Sequence, residues 1–204
     1  MNSVAISDAL LATTAFWVAL GPARALPGMR FGCVLIGAAA LAGSLRYSGL
    51  YPLPPLHEFL SMLGAVSALP LLAIAVAWPT SAVATTRRFA WVFFAGSAAL
   101  GVLVVSVGGL RVGADIVAVL SVLTLLVASL RRKEWLGVGA AVCLALAFAA
   151  FLARLQIPDL LQPGDFLHVG MAAALLLLER WASDRTRIAR VADSEGAGDM
   201  AGNG

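Results

Sequence analysis

Charge is scarce in this 204-residue chain: 12% of its residues are charged and 61% hydrophobic. A water-soluble domain is nearer a quarter charged and half apolar. A domain this small cannot hide so much apolar surface from water, so the solvent of the fold is lipid. The mean hydropathy of +0.93 agrees. Lysine is almost missing, since Lys133 is its sole example and lies in the basic run Arg131-Arg132-Lys133. That excludes a retinal protein, which needs a Schiff-base lysine inside the bundle. Cysteine is rare too. Cys33 and Cys143 both fall within apolar segments, where small apolar packing is expected rather than a disulfide. No P-loop, Rossmann or kinase signature is present. The small net charge of +3 needs no nucleic acid to explain it.

What the chain does have is apolar segments of spanning length. Roughly 20 apolar residues cross a bilayer as a helix, and seven candidates run near 5–22, 30–48, 56–78, 88–108, 112–130, 135–155 and 165–183. Short connections carrying Pro, Gly or Arg separate them, among them Gly21-Pro22, Pro52-Leu53-Pro54-Pro55 and Gly108-Gly109. The expected fold is all-α: a polytopic seven-transmembrane-helix bundle over residues 1–191, followed by a Gly-, Ala-, Asp- and Ser-rich disordered cytoplasmic tail at 192–204. Met1 to Asp8 contains no basic residue and one acid, so the first segment reads as a retained helix and not a secretory signal.

Basic residues set the orientation. One side of the seven-helix bundle collects eleven of them, including Arg24, Arg30, Arg87, Arg88, the 131–133 run and Arg190; the other has Arg46, Arg111 and Arg154. The bias predicts an outside N-terminus and a cytoplasmic C-terminus. Thirteen arginines against one lysine, with abundant alanine, suggest a GC-rich bacterial genome and hence a bacterial inner (plasma) membrane. The five tryptophans fall mostly near segment ends, where an aromatic belt is expected, and Glu179-Arg180 beside Trp181 reads as an interfacial anchor.

The two histidines, His57 and His168, both fall in the outer layer, with Asp8, Ser44, Arg46, Glu58, Ser61, Asp115 and Asp165. His57 and Ser61 are i, i+4 and share a helix face continued by Gly64; Asp165 and His168 are i, i+3. Ionisable groups inside a membrane bundle are costly without partners, which marks this layer as the functional candidate. Simpler roles remain open: Asp165 suits a helix N-cap, His57 an interfacial position, Glu58 a solvated helix end, and Arg111 with Asp115 a local ion pair. Two imidazoles and a carboxylate also form a zinc set, with His57, Asp165 and His168 as ligands and a fourth position for water. Glu58 would move the proton, and Ser44, Ser61 or Arg46 would hold a polarised oxygen.

The stretch Gly164-Asp165-Phe166-Leu167-His168-Val169-Gly170-Met171 resembles the last-helix signature of bacterial relatives of the alkaline ceramidase, adiponectin-receptor and Per1-like hydrolases. The segments Leu45-Arg46-Tyr47-Ser48-Gly49 and Leu56-His57-Glu58-Phe59-Leu60-Ser61 are also similar to that group. The resemblance implies seven helices and a zinc site, with Ser44 and His57 for the early elements and His168 for a late one. It departs in the last helix: Ala172 stands where the second histidine of HxxxH would be, so Asp165 must replace a ligand. The expected function is a zinc-dependent intramembrane hydrolase acting on a lipid-like amide or ester, with membrane lipids around it. The alternatives are a transporter, receptor or assembly partner with a polar outer vestibule, or a haem-binding membrane protein using both histidines.

Overall fold

The computed structural model describes residues 2–21, 26–49, 54–108, 111–158 and 160–201; of these, the side chains of 104–108, 111 and 189–201 are not described. Pro22, Arg24, Pro52, Leu53 and Gly109 lie outside the described residues, as do the side chains of Arg111 and Arg190.

The long apolar segments form helices. They are α1 (Ser3–Leu20), α2 (Pro27–Tyr47), α3 (Pro54–Ala77), a short α4 (Ala82–Thr85), α5 (Arg87–Gly108), α6 (Arg111–Arg132), α7 (Trp135–Leu152) and α8 (Pro163–Ala201). Among the described residues, six are long and apolar enough to cross a membrane: α1, α2, α3, α6, α7 and α8. The chain is thus a helical, multi-pass membrane protein. Its outer surface is apolar, with Trp17, Leu41, Leu100, Leu120 and Leu146 exposed as a lipid-facing surface requires. The backbone of α8 continues to Ala201, through most of the segment expected as a tail.

The helices close into a ring in which α2, α1, α8, α7, α6 and α3 pack in turn, and α3 returns to α2. The interior is built of small residues, among them Ala15, Ala40, Ala75, Ala140 and Ala174. Without a hydrophobic force between helices in lipid, close backbone approach supplies the packing attraction. Cys33 is buried, Cys143 partly so, and both are free thiols.

Two features depart from plain helices. The middle of α3, Gly64–Ala68, is a π-helical turn, closed by the Leu69 N–H bonding back to Gly64 O. Pro70 is the cause: it has no N–H for the carbonyl of Val66 and its ring would collide there, so an inserted residue relieves the ladder. The other feature is a clamp at the far end. Arg132 donates through Nη1 to Val76 O at 2.6 Å and through Nη2 to Ala77 O, capping α3. Glu134 accepts from Trp181 Nε1 at 3.0 Å and from Arg185. Trp181 is therefore buried within the bundle rather than set in an aromatic belt; its indole N–H has a carboxylate to satisfy it. The other four tryptophans are exposed near helix ends.

Candidate functional site

The polar residues of the outer layer meet around α1. Asp8 lies two turns into that helix and its side chain is buried. It faces α2 where Gly43 leaves room: a Cβ there would collide with Asp8 Oδ2 and sit 2.7 Å from His57 Cε1. Gly43 thus brings a carboxylate from α1 and an imidazole from α3 together. His168 arrives from α8, the other neighbour of α1, with Nε2 at 3.3 Å from Asp8 Oδ1.

Hydrogen bonds fix both rings. The Ser7 hydroxyl donates to Asp165 Oδ1 at 2.7 Å or to Val4 O at 3.1 Å, which uses its only proton. Towards His168 Nδ1, 3.2 Å away, the hydroxyl can then only accept. With the Ser7 proton so used, the neutral His168 ring carries its proton on Nδ1 and presents the Nε2 lone pair to Asp8. His57 Nδ1 lies 3.2 Å from the Ala39 carbonyl, which also can only accept. Its Nε2 is left as the free acceptor. Neither oxygen of Asp8 has a hydrogen-bond partner among the described residues. With the ring in that form, His168 Nε2 and the Asp8 carboxylate, 3.3 Å apart in a buried place, are suited to sharing a cation: a proton or a metal ion.

Asp8, His57, Ser61, Gly64 and His168 line one cavity of about 120 Å³, walled by Leu11, Ile36, Leu69 and Phe148. The face predicted for His57, Ser61 and Gly64 is therefore the cavity face. Asp165 stands behind His168 instead. Its Oδ2 accepts the Gln162 N–H at 2.7 Å, its Oδ1 the Ser7 hydroxyl, and Ser3 adds a further side-chain bond. It caps α8 and orients His168 through Ser7, so the carboxylate in the cavity is Asp8 rather than Asp165. Ser44 is also turned away, its hydroxyl donating to Ala5 O at 3.1 Å and tying α2 to α1. Arg46 and Glu58 pair at 3.8 Å at the rim, with Arg46 over the Tyr47 ring and Tyr47 edge-on to His57.

Sequence reasoning placed Asp8 in the right layer without giving it a role, and passed over Ser7. The available signal was that Asp8 is the lone acid within the first two apolar segments.

The donor set suits zinc by chemistry: two imidazoles with bare Nε2 atoms and a carboxylate. Each imidazole is also held through Nδ1, as metal-bound histidines are. Two ligands of a tetrahedral ion with bonds of ~2.0–2.1 Å lie about 3.3–3.4 Å apart, which matches the 3.3 Å between Asp8 and His168. Among the described residues, however, no three His, Cys, Asp or Glu side chains are gathered closely enough to hold an ion as they stand.

No curated protein and no solved structure matches this chain. Residues 3–186 match the model of a family described as a family of unknown function (DUF6962), and the chain belongs to that family.

Proposed function

We propose that the chain is a zinc-dependent intramembrane hydrolase acting on a lipid-like amide or ester. In this reading seven helices cross a bacterial inner membrane, α5 included, with the N-terminus outside and the C-terminus cytoplasmic. The supporting observation is the unbonded Asp8 carboxylate 3.3 Å from the bare Nε2 of His168. A bridging proton would favour an in-line hydrogen bond, which is absent, whereas adjacent metal ligands aim at a common point off the line between them.

Asp8 and His168 would hold the ion with His57 as third ligand. A zinc ion so held supplies a hydroxide near neutral pH by lowering the pKa of bound water toward ~7. The remaining chemistry belongs to the chain. Ser7 and Asp165 keep His168 in the Nδ1–H form, and the Ala39 carbonyl does the same for His57. Ser61 sits one turn below His57 in the cavity wall and donates to the carbonyl oxygen as charge develops there. Glu58, at the rim beside Arg46, carries the proton outward. Leu11, Leu69 and Phe148 exclude bulk water. A cavity of about 120 Å³ takes only the reacting carbonyl group. The acyl chains of the substrate must then lie against the lipid-facing surface.

The same cavity speaks against haem, since cofactor sites run to ~300–1,000 Å³. A second reading has one observation in its favour: Asp8, His168, Ser7 and Asp165 follow one another at 2.7–3.3 Å, a succession of groups suited to passing protons in a transporter once the first pair comes into line. Purified protein in nanodiscs, offered long-chain N-acyl amides and esters, separates the two. The hydrolase reading expects zinc-dependent release of fatty acid that is lost in His57→Ala. Proton uptake without fatty-acid release across the panel favours the transporter.

A further inference from the structure

At the opposite end of α3 from His57 lies a second cavity, of about 420 Å³, between the end of that helix and the outer face of α6. Its walls are Leu120, Leu123 and Val127, each about half exposed to the membrane. Its far end is closed by Trp78, Arg131 and Arg132. The two arginines differ. Arg132 is committed to the carbonyls of Val76 and Ala77 and stands 3.9 Å from Glu134. Arg131 is exposed and makes no hydrogen bond or ion pair among the described residues. From Leu120 to Arg131 the helix rises about 16 Å, close to the ~15 Å of one leaflet's hydrocarbon. An apolar groove one leaflet long therefore ends in a free cation beside an exposed tryptophan, which belongs at the head-group level.

We propose that this groove binds one anionic phospholipid, its acyl chain along Leu120, Leu123 and Val127 and its phosphate on Arg131. An anionic head group near a basic residue at the membrane surface gains enough attraction to be sorted from a zwitterionic one. The site is independent of the histidine cavity.

Native mass spectrometry of detergent-purified protein tests this, with phosphatidylglycerol, phosphatidylcholine and glycerophosphoglycerol as probes. One phosphatidylglycerol should remain bound, in preference to phosphatidylcholine. Arg131→Gln should weaken it about fivefold. Val127→Trp, which fills the groove and keeps the arginine, should expel it. Glycerophosphoglycerol should not displace it, because the acyl chain contributes much of the binding. Equal retention of both phospholipids, or no change in Arg131→Gln, would overturn the proposal. So would disulfide-linked dimers through Leu123→Cys in place of lipid, which would make the groove a contact between two copies.

Discussion

Gly43→Ala tests whether Asp8 and His57 meet over α2. The added methyl would collide with the Asp8 carboxylate and stand 2.7 Å from the His57 ring. Asp8 is fully buried on a helix packed closely against α2, so it cannot simply rotate into solvent. Forcing a methyl group into such a contact costs about 1–3 kcal/mol. For a chain of this size that lowers the thermal midpoint by about 2–12 °C. It also separates the proposed ligands, so bound zinc should fall at least tenfold. Gly96→Ala is the matched control. It lies inside α5 with nothing within 4 Å of the new Cβ. Replacing a helical glycine there gains up to about 1 kcal/mol. Both are read by tryptophan fluorescence during heating in detergent and by metal content after purification. If Gly43→Ala is as harmless as Gly96→Ala on both readouts, the convergence of α1, α2 and α3 on one site is refuted.

Ser7→Ala removes the hydroxyl that His168 Nδ1 bonds and that links it to Asp165; zinc affinity, measured by chelator competition, should drop about 10–100-fold while the helical circular dichroism is kept. Glu134→Gln weakens the acceptor shared by Trp181 and Arg185, so stability should fall by about 1–3 kcal/mol with zinc content unchanged; a loss of zinc would mean that the two ends of the bundle are coupled. Arg154 ends α7 in the left-handed region at φ 52°, and Arg154→Gly should raise the thermal midpoint by relieving roughly 1 kcal/mol of strain. An unchanged or lower midpoint would show the turn to be held by contacts of the arginine side chain.

Much of the architecture was legible because lipid leaves few options: long apolar runs must satisfy their own backbone and therefore become helices. Their boundaries fell within a few residues of the observed ones except at the C-terminal end, where the last helix runs on to Ala201 instead of stopping near residue 183. The face shared by His57, Ser61 and Gly64 followed from helical periodicity alone. Other features depend on facts that periodicity does not carry. Pro70 lies well inside the third apolar segment, but whether a proline kinks a helix or induces a π turn depends on the neighbours that re-bond it. Trp181 read as an interfacial residue because nothing in the sequence places Glu134 beside it, 47 positions away. Asp8 takes the cavity position expected of Asp165, which instead bonds the start of α8 and Ser7, for a similar reason. A capping acid and a cavity acid look alike in sequence. Only the packing of α1 between α2 and α8 makes Asp8 the one that reaches the histidines. Ser7 escaped notice because a serine in an apolar helix ordinarily bonds its own preceding turn, as this one also does at Val4.

Zinc stoichiometry in protein purified without chelators, compared across wild type, Asp8→Asn, His168→Ala and Asp165→Asn, tests the proposed centre most directly. The account predicts about one zinc per wild-type chain, none in Asp8→Asn or His168→Ala, and a weakened but present ion in Asp165→Asn. A wild-type protein free of metal, or full zinc in Asp8→Asn alongside its loss from Asp165→Asn, would contradict it.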